Sequence, residues 1–259
     1  MLVISPRLIA VHTARRSEAA ERPMTPEPPA PSFQLRHSLP VRVMHWINVL
    51  AVVLLLMSGL QIFNAHPALY WGASSYNGHP PVFSLPDRFP GWATLPGVQW
   101  LAMGRRWHFF FAWVLVLNGL AYIVYSIASG HARRDLVPTR RDWRSIGASI
   151  VEHLKFHRPT GDELSRYNVL QRLAYLVVIF GVFPFLILMG LGLSPRLDAA
   201  WPALVDLFGG RQSVRTLHFL AATVLLAFVL VHLFEVILAG AWNEIRSMIT
   251  GRFRVRDDA

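Results

Sequence analysis

The sequence predicts an all-α membrane protein built as a bundle of four transmembrane helices, and three observations carry that prediction. Hydrophobic residues make up 53% of the 259 positions and charged residues only 15%, against roughly 25% charged in an ordinary soluble domain. Mean hydropathy is accordingly positive, at +0.38. Four apolar runs, at about 41–63, 107–128, 170–193 and 215–239, meet the ~20 residues that a helix needs to cross a ~30 Å hydrocarbon core. The basic residues then fall unevenly between the runs. The stretch through Arg42 holds six Lys or Arg, the 129–172 connection nine and the end of the chain four, whereas the 64–106 and 194–215 connections hold three each. By the positive-inside bias both termini and the 129–172 connection are cytoplasmic, and the other two connections face the periplasm of a bacterium. The net charge of +10 is therefore a topology signal. It is spread between apolar runs rather than gathered on one soluble face, so it does not argue for nucleic acid.

Residues 1–35 are rich in Pro, Ala and Arg, with "RPMTPEPPAPS" at their centre, and are expected to be disordered. "LVISPRLIAV" is too short and interrupted for a signal peptide, and Met24 is an alternative start. Residues 36–250 form the four-span domain. After span one, the 64–106 connection is dense in aromatics, Pro and Gly, which predicts an ordered cap at the membrane interface and a docking surface. Its His66 and His79 read as solvated loop residues. After span two, "RRDWRSIGASIVEHLKF" places Trp143, Ile146, Ile150 and Leu154 on one face between basic residues, an amphipathic helix suited to anionic lipid. Spans three and four follow, and 251–259 is a basic tail. No internal repeat of the transporter kind is present.

The chain has no cysteine, which excludes disulfides, iron–sulfur clusters, thiolate zinc and covalently attached c-type haem. Any metal must be held by His, Met or carboxylate. Of eleven histidines, four lie within or at the start of spans: His45, His108, His218 and His232. A polar side chain in hydrocarbon needs a partner. One such ring can simply bond a neighbouring helix, but four at matched depths point to ligands. Span one enters from the cytoplasm, so His45 lies near the inner side; spans two and four enter from outside, which puts His108 and His218 at the outer level. Fourteen residues beyond His218, His232 points within about 40° of the same direction and ~21 Å deeper. Two pairs follow, His108 with His218 outside and His45 with His232 inside. Paired imidazoles on facing helices suit bis-His ligation of two b-type haems. A carboxylate-metal site would need acids at these depths, and only Glu235 is near.

Gly59, fourteen residues after His45, reaches the outer level, where a missing side chain admits a macrocycle. Arg105, Arg106 and Arg215 are placed to meet outer haem carboxylates, and Arg42 and Arg172 inner ones; each could equally anchor its span at the interface. Asn118 can bond either a neighbouring helix or a cofactor.

These stretches, "RVMHWINVLAVVLLLMSG", "RRWHFFFAWVLVLNG", "RYNVLQRLAYL" and "RTLHFLAATVLLAFVLVHLFE", resemble the prokaryotic b561-type di-haem cytochromes, which include the membrane cytochrome b subunits of nickel–iron hydrogenases, formate dehydrogenases and thiosulfate reductases. The resemblance covers about residues 36–250. It implies four spans around two haem b groups in the inner membrane, passing electrons in a respiratory chain between the quinone pool and a periplasmic redox enzyme. It carries the ligand roles onto His45, His108, His218 and His232, with the same pairing. It also places a quinone near the inner haem, with Asn48, Gln171 and Glu235 as its neighbours beside His45. No catalytic residue is implied. The long 64–106 connection departs from the hydrogenase type and resembles cytochromes that accompany periplasmic molybdenum-cofactor oxidoreductases. Two other readings fit the same residues: a stand-alone b561-type superoxide or quinone oxidoreductase, and a haem-free membrane anchor or transporter.

Overall fold

The computed structural model describes residues 33–76, 78–97, 99–131, 146–147 and 169–254. The N-terminal segment expected to be disordered lies outside the described residues, apart from its last three. So do the amphipathic inner helix, apart from Ile146 and Gly147, and the basic tail beyond Arg254. The chain divides into a large unit, Leu35–Phe253, and a small one made of Met1–Gln34 and Arg254–Ala259, and all four spans belong to the large unit.

The spans are α1 (Leu39–Asn64), α2 (Leu101–Ala128), α3 (Val169–Gly192) and α6 (Arg211–Thr250), each long and apolar enough to cross a membrane. Two short helices, α4 (Pro195–Ala200) and α5 (Pro202–Leu207), fill the second outer connection. Ser38, in extended conformation, precedes α1, and the proline in the first turn lacks only an N–H that no helix start could use. In α3, Pro184 cannot donate to the carbonyl four residues earlier and its ring crowds that carbonyl. The helix loosens into a π-turn at Val178–Val182 just before it.

Span four is longer than the expected 215–239. Helical hydrogen bonding continues to Thr250, but Gly240 adopts φ 105° and ψ 78°, so the membrane segment breaks one residue past the expected end. The continuation is held by the start of α1. Trp46 Nε1 donates to the Met248 carbonyl (3.0 Å) and Arg42 to the Ile249 carbonyl, which satisfies groups left open at a helix C-terminus. Arg36 and Glu244 make an ion pair at 2.9 Å.

α1 packs along α2, and α3 along α6, whereas contact between α1 and α6 is sparse. The first pair is pinned at both levels. A Cβ on Gly104 would stand 2.7 Å from Gln61 Cγ, so the backbones approach closely there. At the inner level Asn118 Nδ2 donates to the Met44 carbonyl (2.8 Å) and to Asn48 Oδ1 (2.7 Å). The buried centre joins all four spans through Ala51, Val52, Leu115, Val178 and Leu225. Val52, Leu115 and Leu225 each stand seven residues from a span histidine, Leu225 from two of them. At ~1.5 Å per residue this apolar layer lies ~10 Å from either histidine level.

The 64–106 connection is folded, as expected of a cap. Its extended segment 66–72 lies between a strand and a helix, and because successive carbonyls alternate in direction it serves both. β1 (Ala68–Leu69) pairs with β2 (Phe83–Ser84), and the Pro67 and Leu69 carbonyls accept from Leu85 and Val82 (3.0 and 2.8 Å). The carbonyls of His66, Ala68, Tyr70 and Gly72 turn the other way, to α6: Arg215 donates to the first two, Thr216 Oγ1 to Tyr70 (2.8 Å), and the Gln212 and Ser213 N–H groups to Gly72 (3.0 and 3.2 Å). Gly210 makes this junction possible. Its φ is +104°, and a Cβ there would lie 2.6 Å from Ala73 Cα.

Candidate functional site

The bundle brings the four span histidines together two by two, across from α6 to α2 and to α1 rather than within the closely packed helix pairs. The rings of His108 (α2) and His218 (α6) have centroids 6.1 Å apart with planes at 71°, and those of His45 (α1) and His232 (α6) are 6.4 Å apart at 69°. With metal–nitrogen bonds of ~2.0 Å and a ring radius of ~1.2 Å, two imidazoles on opposite sides of one metal have centroids ~6.4 Å apart. Both pairs fit that demand. Among the described residues no third His, Cys, Asp or Glu completes a protein-only metal site, so each pair suits a metal whose other ligands come from a macrocycle.

The outer rings are fixed through Nδ1. His218 Nδ1 lies 3.1 Å from the Leu186 carbonyl of α3, which can only accept, so this nitrogen carries the proton. His108 Nδ1 lies 3.1 Å from Ser58 Oγ of α1, whose own proton goes to the Leu54 carbonyl at 2.6 Å. In both rings the Nε2 lone pair is left for a ligand. Glycines back the same rings: a Cβ on Gly59 would meet His108 Cε1 at 3.5 Å, and one on Gly190 would meet His218 Cε1 at 3.2 Å. Gly59 was singled out in the sequence; Ser58, Leu186 and Gly190 were not. The available signal for Gly190 was depth, since about twenty residues after span three begins it reaches the outer level.

The inner rings sit among aromatics. Trp46 meets His45 edge-on at 5.5 Å, and Phe228 lies parallel to His232 at 6.2 Å with Tyr175 against it. Gln171 Nε2 donates to Glu235 Oε2 at 3.1 Å, less than one turn beyond His232. Asn48 is separate from that pair, its oxygen accepting from Asn118, which itself bonds the neighbouring helix.

The arginines divide. Arg105 and Arg106 are exposed at the outer start of α2, and Arg172 is half-buried at the inner start of α3. Arg42 donates to the Ile249 carbonyl, while its buried Nε has no hydrogen-bond partner among the described residues. Arg215 is engaged by the cap carbonyls and lies over the Phe63 ring at 5.7 Å. In the cap, His66 stacks on Tyr76 at 5.3 Å; burial first, then Arg215, holds its pKa below the usual value. At the inner mouth His37 is pushed down to about 4, chiefly by burial and then by Arg36, His45, His131 and Arg42.

Comparison with known proteins agrees with this architecture. The sequence pattern of the family described as prokaryotic cytochrome b561 matches residues 36–251. A putative protein-methionine-sulfoxide reductase subunit YedZ1 of Azospira oryzae is 36% identical over 192 residues, covering 74% of this chain and 85% of that one. Probable Ni/Fe-hydrogenase B-type cytochrome subunits of Cupriavidus necator and Azotobacter vinelandii are 26% and 25% identical over 236 residues, covering 85% and 86% of this chain and 87% and 89% of theirs. Four apolar spans, histidines in facing pairs and this match over most of the chain lead to one conclusion: the protein belongs to the prokaryotic cytochrome b561 family and is a multi-pass bacterial membrane cytochrome b for electron transport.

Proposed function

We infer that the chain holds two b haems, one between His108 and His218 and one between His45 and His232, and conducts electrons across the membrane between quinone and a periplasmic redox enzyme. The observation that carries this reading is the pair of ring separations, 6.1 and 6.4 Å, at two levels of one bundle. When bound, each haem supplies a one-electron ferric/ferrous carrier. The protein supplies the axial nitrogens, the spacing of ~21 Å between levels along α6, and a dry layer around Leu225 and Val52 that keeps the path out of water.

Gln171 and Glu235 are the groups best placed to serve quinone chemistry at the inner level, where the Glu235 carboxylate would take a proton from a bound quinol. Arg42 and Arg172 inside, and Arg105, Arg106 and Arg215 outside, would answer haem carboxylates. The relative named for methionine-sulfoxide reductase is the more similar one, at 36% against 26% and 25%. Together with the folded outer cap this favours a periplasmic reductase of the molybdenum-cofactor type over a hydrogenase as partner.

The test is a pyridine haemochrome assay on purified protein, with two haem b per chain expected. His108→Ala and His218→Ala should each abolish the same haem, and His45→Ala and His232→Ala the other. A single haem per folded chain, or losses that cross between the pairs, would overturn the reading.

A further inference from the structure

The outer rings are gripped alike. Each meets, on the helix packed beside its own, a hydrogen-bond acceptor at Nδ1 and a glycine at Cε1: Ser58 and Gly59 of α1 for His108, the Leu186 carbonyl and Gly190 of α3 for His218. The grip on His108 depends on a side chain, which can be removed. Ser58 is fully buried, so no water competes for its hydroxyl. Its single proton is taken by the Leu54 carbonyl at 2.6 Å, and the oxygen turns its lone pairs to His108. With that proton engaged, the Ser58 oxygen can only accept from the ring, so Nδ1 is the N–H.

We propose that Ser58 is a positioning residue: it holds His108 as the Nδ1–H tautomer with Nε2 facing the iron and, by drawing on that N–H, lowers the potential of the outer haem alone. This rests on the reading that His108 and His218 share one haem. A hydrogen bond accepted from the far nitrogen makes an imidazole a more basic ligand, and a more basic axial ligand favours ferric over ferrous iron, second-shell bonding being one of the levers on haem potential.

The experiment is potentiometric titration with optical and EPR detection on the full-length, haem-loaded protein. Ser58→Ala should move one midpoint upward and alter the g-values of one low-spin signal, leaving the other haem as it was. Ser58→Thr, which keeps the oxygen, should restore both. Gly190→Ala, which sets a methyl 3.2 Å from His218 Cε1, should disturb the same signal. Should the alanine variant not fold, Ser58→Cys, close in volume and a weak acceptor, makes the same comparison. Native midpoints and g-values in Ser58→Ala, or a downward shift, would overturn the proposal. The pairing has its own readout: if His108→Ala and His218→Ala remove different haems, that reading fails, whatever Ser58 does.

Discussion

Single positions in this chain act through very short distances. At Gly210, alanine would combine a strained positive φ with backbone atoms 2.6 to 2.8 Å away, so Gly210→Ala should cost about 1–3 kcal/mol, read as a lower thermal midpoint in detergent and faster proteolysis of the cap. His37 is a titration case. Its folded pKa of about 4 lies below the unfolded value of 6.5, so between those values the unfolded chain binds more protons. Stability should therefore fall as pH drops from about 6.5 to about 4, and His37→Gln should flatten that part of the profile. The histidine ligand candidates were legible in the sequence because a polar ring in an apolar run is conspicuous. Ser58 and Gly190 were not, because small residues are common throughout membrane helices and only a distance to His108 or His218 sets these two apart. Asn48 differs: the family resemblance suggested it as a quinone neighbour, and its side-chain oxygen accepts from Asn118, a relation no linear spacing reveals.

At the scale of the helices, side-chain bonds between α1 and α2 separate stability from cofactor geometry. Asn118→Leu removes two hydrogen bonds and takes the donor from Asn48 Oδ1, while the Met44 carbonyl keeps its bond within α1. A loss of about 1–3 kcal/mol is expected, seen as a lower thermal midpoint with the outer haem spectrum unchanged. Gly104→Val should do the reverse. It wedges α2 from α1 one turn before His108, where a Cβ already meets Gln61 at 2.7 Å, so outer haem content should drop; native haem content in that variant would contradict the close-packing argument. Span existence and depth were readable because hydrophobic length is a local property. The end expected at residue 239 coincides with the break at Gly240, yet the helical stretch after it was not foreseen. Ala241–Thr250 is neither long nor apolar, and it is held by Arg36, just ahead of α1, and by Arg42 and Trp46 within it, which are about two hundred residues away in sequence.

For the whole molecule, the charge distribution predicts an orientation with both ends cytoplasmic. A fluorescent protein fused after Ala259 should then be bright and a periplasmic phosphatase fused there inactive; the opposite pattern would overturn that expectation. The four-span architecture was legible in full, since bilayer thickness dictates it, whereas the cap's alternating carbonyl attachment to α6 depends on tertiary contacts that composition does not encode. His218 and His232 are separated by two whole heptads, and Val52, Leu115 and Leu225 stand one heptad from their histidines. Inserting or deleting one residue inside any of these intervals would swing a ring by ~100° from its mate. Evolution can therefore lengthen or trim the connections of such a chain, but between the ring levels it can only substitute.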